Sequence, residues 1–379
     1  MQKKVSFIEY QPKTILNKSK RADDWFWTRY SAYPYIGCQH ACEFCYCRER
    51  KYSPYENLYD FAAIIKVKEN APSLLRRALQ RNSIDVIFTG DYQPAEKKYQ
   101  LSQKMLKVIL EFGYPVFILE RSPLVLRDID LIHEIDHKAK AIVCFSIIST
   151  PDSPNYKQVS YLEHLAPSAE KRFRAMEEFA ERGILTGTCF MPILPKLCDD
   201  DKTLSDIVRW TADHGGQFVL SGGLTLADQQ KGYFLNIMKE KFPDLYKPYL
   251  DYYPDGSYSP KGWHWEKIAL QLQELCKQSG LHDRIPRPIL SGEKRARNKC
   301  VVEKLAYKVY NMELRGQPNS KIWAYRRAAW AIEDLEQDIG LIRAKLGRKG
   351  LESIPNIGVK MAIEIERILD TDIEKRGDF

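Results

Sequence analysis

Short apolar runs alternate with longer stretches of helical spacing through the first two thirds of the chain. Apolar residues recur every three to four positions in Ser73–Gln80, Leu101–Phe112, Asp128–His137, Ser168–Arg182 and Leu204–His214, which predicts helices. Between them lie Asp85–Thr89, Val116–Glu120, Ala141–Ile147, Ile184–Phe190 and Phe218–Ser221, short and rich in β-branched residues, which predicts strands. Pro167 opens one helix and Gly183 stops it; Gly215–Gly216 stops another. With a first strand before Cys38, the pattern predicts six parallel strands with outer helices, α/β in class, as in a partial (β/α)6 TIM-type barrel. In such barrels chemistry sits at the C-terminal ends of the strands.

After residue 225 the pattern turns helical, with a turn-rich break at Asp251–Lys261 and a long amphipathic helix over Trp263–Ser279. Pro286, Pro288, Ser291 and Gly292 then punctuate the chain, and Lys294, Arg295, Arg297 and Lys299 follow. This divides the chain into a polar lead-in over 1–32, a main domain over 33–285, a basic linker over 286–297 and a small all-α domain over 298–379. Trp25, Phe26 and Trp27 are expected to anchor the lead-in on the main domain.

Composition adds limits. A hydrophobic fraction of 44% in 379 residues supplies a sizeable core, and a net charge of +8 suits a polyanionic partner without demanding one. The N-terminal residues carry no apolar signal run, and no stretch reaches membrane-spanning length. The nine cysteines, odd in number and unevenly placed, are not a secreted disulfide framework. A cytoplasmic protein is expected, without membrane attachment and monomeric.

The chemistry concentrates in Tyr33–Arg48, which holds Cys38, Cys42 and Cys45 in the spacing C-x3-C-x2-C. Three thiolates on so short a loop can each take one iron of a cubane cluster and leave the fourth iron open. Gly37 allows the tight turn that leads in. The other reading is zinc, which usually takes four ligands in paired C-x2-C sets, and no second pair follows.

Residues 13–225 resemble the spore photoproduct lyase-like branch of the radical S-adenosyl-L-methionine (SAM) superfamily. The resemblance rests on Tyr33-Pro34-Tyr35 ahead of Gly37-Cys38, His40, the Phe44-Cys45-Tyr46 step, and Thr89-Gly90-Asp91-Tyr92-Gln93-Pro94-Ala95-Glu96 after the second strand. It continues in Ser122–Asp128, in Phe145-Ser146-Ile147, in Pro167, Ser168 and Arg172, and in Pro192–Pro195. It implies a [4Fe–4S] cluster on Cys38, Cys42 and Cys45, whose open iron chelates SAM and whose electron cleaves it to a 5′-deoxyadenosyl radical. It further implies that Thr89, Gly90 and Asp91 hold the SAM amino group, that Arg121 and Ser146 meet its carboxylate, and that Arg172 belongs to the cofactor site. An electron donor such as flavodoxin or ferredoxin would reduce the cluster. One departure bears on the reaction. Photoproduct lyases place a hydrogen-donating cysteine where this chain has Phe88; Cys47 is a substitute donor, and Cys189 and Cys198 are weaker ones.

Residues 298–372 are similar to the small helix-hairpin-helix domain at the N-terminus of family X DNA polymerases. Ala324-Tyr325-Arg326-Arg327-Ala328-Ala329 carries the likeness, with the turn Pro355-Asn356-Ile357-Gly358 inside Leu351–Leu369. Such a turn presents backbone N–H groups at a helix N-terminus, where they bind phosphate without reading sequence. Ile357, Gly358, Lys360, Arg326 and Arg327 are the expected nucleic-acid contacts, helped by the linker cations. Glu364 stands where the lyase members of that family have their Schiff-base lysine, so lyase chemistry is not implied there. The expected activity is radical SAM chemistry on DNA, in repair or base modification. The alternatives are the same chemistry on RNA, a peptide or a small molecule, and a non-catalytic iron–sulfur nucleic-acid-binding protein.

Overall fold

The structure is a computed structural model that describes residues 4–290 and 292–373. Ser291 of the expected linker and residues 374–379 of the expected tail lie outside the described residues. Among the described residues there are ten strands: β1 (Ser6–Tyr10), β2 (Asn17–Lys18), β3 (Tyr30–Ser31), β4 (Tyr35–Ile36), β5 (Ile64–Lys68), β6 (Ile87–Thr89), β7 (Val116–Glu120), β8 (Ala141–Ser146), β9 (Leu185–Ile193) and β10 (Phe218–Gly223).

Six of them run parallel in the order β3-β6-β7-β8-β9-β10, and β2 adds antiparallel to β3. Spatial order follows chain order, so each crossover leads to the next strand. The helices Ala71–Leu79, Leu101–Phe112, Ile129–Lys138, Ala169–Glu181 and Asp201–Asp213 make or precede these crossovers. All five bury residues in one core with the same alternate strand positions: Leu75, Ile109, Ile132, Phe173 and Ile207 pack with Ile87, Ile118, Val143, Phe145 and Val219. Helices on one face and sequential strands are consistent with the TIM-type core expected from the pattern. The opposite strand positions, including Phe88, Phe117, Cys144, Ser146 and Cys189, line the other face.

Helix ends explain why two helices start two or three residues from their expected positions. Asp200 caps Asp201–Asp213 by accepting the amide of Thr203 at 2.9 Å, so that helix begins three residues before Leu204. Trp263 lies outside the helix Trp265–Gln278, its indole donating to Asp199 at 2.8 Å.

A second, three-stranded sheet was not anticipated. β5 lies between β1, parallel to it, and β4, antiparallel to it. Ile64-Ile65-Lys66-Val67-Lys68 alternates buried and half-buried positions, a period-2 signal too short to stand out beside the helix that precedes it. This sheet carries the chain from β4 into the cysteine loop, so the loop follows a small accessory strand rather than the first strand of the large sheet.

The chain divides into two compact units, residues 1–18 with 30–285, and residues 19–29 with 286–379. The lead-in expected as one piece over 1–32 is thus shared between them, and Trp25, Phe26 and Trp27 belong to the second unit, not the first. In that unit Trp27 packs beneath the Arg287 guanidinium, 4.8 Å from ring centre to carbon. Its helices are Ala296–Leu314, Asn319–Glu333, Ile339–Glu352 and Val359–Ile368. The basic run is structural: Lys299 is buried on Glu293 at 2.7 Å, Arg297 meets Asp338 at 3.2 Å, and Arg295 donates to the carbonyls of Glu333 and Leu335. Only Lys294 of the run is exposed, so the expectation that these cations reach a polyanion is corrected.

Candidate active site

The cysteine loop is held from several sides. Gly37 has φ +85°, and a Cβ there would sit 2.7 Å from the Ile64 carbonyl and 2.8 Å from that of Phe61. Cys38 donates its amide to the same Phe61 carbonyl at 2.9 Å. Turns follow from Ala41 N to Cys38 O at 3.2 Å and from Cys45 N to Cys42 O at 3.2 Å. Arg48, only 1% exposed, closes the loop from within. Its guanidinium donates to the carbonyls of Ala41, Cys42 and Leu58 at 3.2, 3.3 and 2.8 Å, between the rings of Phe61 and Tyr233. From the helix Asp228–Lys241, Gln230 donates to the Phe44 carbonyl at 3.2 Å and Tyr233 donates to Glu43. These partners follow β10; Leu162, which accepts the Glu43 amide, follows β8; Gln93 follows β6. The loop therefore sits at the C-terminal ends of the parallel strands.

Gln93 ties this loop to the second strand end. Its side-chain amide donates to the Gly37 carbonyl at 3.0 Å and to Asp91 at 2.9 Å, and its oxygen accepts the Gln39 amide at 3.0 Å. Asp91 is in the left-handed region, φ 84°, after Gly90 at φ 122°. That turn aims the amides of Asp91 and Tyr92 at one oxygen of Glu120, 2.6 and 2.9 Å away. A Cβ on Gly90 would stand 3.0 Å from that oxygen. Burial holds the Glu120 carboxyl up at about 7 despite the amides, and burial beside Glu120 holds Asp91 well above the usual carboxylate range. Two buried carboxyls side by side favour a cation between them. Thr89 donates its hydroxyl to the Ala32 carbonyl at 2.7 Å, which leaves its oxygen as an acceptor, the polarity an ammonium needs.

Arg121 and Arg172 share one partner. Arg121 pairs with one oxygen of Glu163, and Arg172 with the other at 2.8 Å. Arg172 also donates to the carbonyls of Pro167 and Ser146 at 2.8 and 2.9 Å, so it braces the end of β8 rather than facing outward. Two guanidiniums on one carboxylate leave one positive charge in excess, and Arg121 also lies over the Phe44 ring at 5.3 Å. Burial lifts the Cys42 thiol to about 11 even though both cations favour its thiolate. Ser146 donates to the Met191 carbonyl at 3.0 Å, which leaves its oxygen as an acceptor. Glu120, Glu163, Arg48 and Gln93 were not among the residues expected in the site. Each is a polar residue next to a recognisable stretch, but burial makes it functional, and burial has no signature in a single residue's identity.

Among the described residues, no three His, Cys, Asp or Glu side chains converge on a point that one metal ion could occupy. Cys38, Cys42 and Cys45 are nonetheless close enough to raise or lower one another's charge. Cys47 donates its thiol to Cys45, which lowers Cys45 to about 6. Cys144 and Cys189 meet sulfur to sulfur at 3.2 Å, fully buried, and Cys198 is buried on the Leu194 amide. Phe88 packs edge-on to Tyr33 and Phe117 at 5.5 and 4.8 Å.

In the second unit, Asn356 takes φ 64°, the left-handed geometry that asparagine tolerates. Gly358 then caps the helix Val359–Ile368 with no side-chain partner, and Lys360 is exposed in its first turn. Ile357 is corrected: its side chain is buried and its amide donates to the Ile354 carbonyl at 3.1 Å. Arg326 pairs with Glu313 at 2.7 Å, and Arg327 is exposed. Lys308 reaches Glu364 at 2.6 Å; that pairing raises the lysine, so it stays an ammonium.

No protein-family model matches the chain. An uncharacterised protein of Mycobacterium tuberculosis is 28% identical over 266 residues, which are 68% of this chain and 77% of the relative. One of Methanocaldococcus jannaschii is 28% identical over 248 residues, 65% of this chain and 88% of the relative. Among solved structures, a spore photoproduct lyase mutant superposes with a TM-score of 0.52 at 15% identity, over 73% of this chain and 81% of that one. The chain shares its fold with spore photoproduct lyase. A second spore photoproduct lyase mutant, with bound AdoMet and dinucleoside spore photoproduct, gives the same TM-score of 0.52 at 14% identity and the same coverage, 73% and 81%. No helix among the described residues is long and apolar enough to cross a membrane.

Proposed function

We propose that this protein is a radical SAM enzyme that acts on a nucleic acid, in DNA repair or base modification. The observation that carries the reading is the cysteine loop, clamped at the C-terminal ends of the parallel strands in a fold shared with spore photoproduct lyase. Cys38, Cys42 and Cys45 would hold a [4Fe–4S] cluster, and the open iron would take SAM. Bound there, cluster and SAM supply the electron and the radical source; the protein supplies position and charge. Asp91 and Glu120 offer the anionic seat for the SAM ammonium group, with Gly90 giving Glu120 room. The excess positive charge around Glu163 faces the opposite need, a carboxylate and the cluster thiolates, whereas Ser146, its proton spent on Met191, can meet only a donor. Arg121 reaches a SAM carboxylate only by giving up part of its pairing with Glu163.

The nucleic-acid part rests on two supports. One structure with this fold carries a dinucleoside photoproduct. The second unit ends in a helix whose N-terminus, Gly358 to Lys360, is free of side-chain caps and carries an exposed lysine. The test is anaerobic reconstitution with iron, sulfide, SAM and a reductant, with and without DNA. 5′-Deoxyadenosine that forms, and forms faster with DNA, supports the reading. Cluster assembly without SAM cleavage would overturn it in favour of a binding protein, and acceleration by RNA alone would move the substrate.

A further inference from the structure

The helix Ile129–Lys138 packs on the parallel sheet through Ile129, Ile132 and Ile135. That stripe leaves His133 and His137, four residues apart, side by side toward solvent, the first half-buried and the second exposed. Their Nε2 atoms stand 3.1 Å apart, and their rings meet edge to face at 4.3 Å. Without a metal this is a hydrogen bond from one imidazole to the other. The same distance is that of a chelate: two nitrogens held ~2.0–2.1 Å from one metal ion, at an angle of about 90–110°, lie about 2.9–3.4 Å apart. The pair belongs to His133-Glu134-Ile135-Asp136-His137, the H-E-x-x-H spacing by which one helix gives zinc two ligands. The third protein ligand of a peptidase centre does not accompany it: among the described residues, no three His, Cys, Asp or Glu side chains could hold one ion. Asp130, one turn before His133, pairs with Arg182, and Asp136 accepts the Ala141 amide at 2.8 Å. Lys138 turns its ammonium to the carbonyls of Leu110 and Glu111 at 2.9 and 3.2 Å. His137 stands in the last turn of the helix, where the dipole favours a cation.

We infer that His133 and His137 chelate one divalent transition-metal ion, of the Ni²⁺, Cu²⁺ or Zn²⁺ class, with water in the remaining positions. Imidazole nitrogens suit these ions, whereas Mg²⁺ and Ca²⁺ seek oxygen. Two protein ligands on a solvent-facing helix hold the ion reversibly, unlike the closed four-ligand shell of a structural zinc. The site lies on the helix side of the sheet and shares no residue with the cysteine loop, so it depends on neither cluster nor SAM.

The experiment titrates the full, untagged chain with Ni²⁺ by calorimetry, beside His133→Asn, His137→Asn, His164→Asn and the double variant His137→Asn with Lys138→His. Every variant keeps the cysteine loop, so metal held there cancels in the comparison. The wild-type chain is expected to bind a Ni²⁺ ion that His133→Asn and His137→Asn each bind about tenfold more weakly or worse, because joining two ligands on one helix is what gives the affinity. His164→Asn removes an exposed imidazole elsewhere and should leave that binding unchanged. The double variant keeps the same number of histidines but carries one ring about 100° further round the helix, and should bind as weakly as His137→Asn. A thermal melt without metal checks that each variant is folded; if the double variant is not, the two single variants decide. A wild-type chain that binds no Ni²⁺, or whose affinity survives in both His133→Asn and His137→Asn, overturns the chelate. So does a folded double variant that binds as tightly as the wild type.

Discussion

Two turns in this protein place a residue in left-handed geometry ahead of a segment that the proposed function uses, and they are built on opposite plans. Gly37 introduces the cysteine loop at φ +85°, with two carbonyls where its Cβ would be. Asn356 introduces the C-terminal helix at φ 64°, on an exposed turn, and the Gly358 that follows has nothing within 4 Å. The first turn is fixed mostly from outside, by Gln93, Gln230 and the β5 edge, with Arg48 closing it from within. The second is fixed from within, by its own backbone bonds. A loop that must hold a reactive cluster gains from rigid surroundings, whereas a turn that meets a phosphate must stay open to solvent.

The largest break in that contrast is expected in the first turn. Replacing Cys38, Cys42 and Cys45 by alanine together should abolish the cluster absorbance and SAM cleavage; full iron content in the triple variant would sink the ligand assignment. Close behind comes Arg48→Ala, which leaves buried carbonyls of Ala41, Cys42 and Leu58 unpaired. Its cost should be at least about 3 kcal/mol in chemical denaturation, with loss of cluster retention, though Arg48 is no ligand. Gly37→Ala should behave similarly, by overpacking and strain worth roughly 2–4 kcal/mol. A stable, cluster-bearing Gly37→Ala protein would show that the loop is not held from outside.

Glu120 sharpens the comparison by pH. Its folded carboxyl, raised to about 7 by burial, keeps its proton where the unfolded one, near 4.5, has lost it. The folded state then binds more protons between these values, so stability should fall as pH rises from about 4.5 to 7 and level off above. Glu120→Gln should flatten that slope, with Asp91, also held up by burial, keeping its own share, and saturating SAM should flatten it if its ammonium sits beside the carboxylate. A wild-type stability profile flat between these values would contradict the burial argument.

The smallest effects belong to the second turn. Lys360→Glu should weaken duplex binding and lower the log–log salt slope by about 0.9 for the lost phosphate contact, with uncoupled SAM cleavage unchanged. Asn356→Gly should change stability by only about 0.5 kcal/mol or less, and Asn356→Val should cost about 1–2 kcal/mol. If Asn356→Gly proved as damaging as Gly37→Ala, the two turns would not differ as described.

The sequence alone determined the elements whose signals are local. Leu101–Phe112 and Val116–Glu120 lie where the spacing put them, because period and end signals are properties of neighbours along the chain. The same holds for the C-x3-C-x2-C loop and for the left-handed Asn356. Tertiary structure decided what depends on partners far away in sequence. Glu120 becomes a site residue because the Gly90–Asp91 turn brings two amides to it across 28 and 29 positions. Arg121 and Arg172 are joined by Glu163, and Ser146 and Ile357 spend on the backbone the protons that their expected roles would have needed. The basic run that reads as a linker lies inside a helical unit, and the tryptophans near the N-terminus belong to that unit as well. Burial and pairing set the charge and availability of a side chain, and both are settled only when distant segments come together.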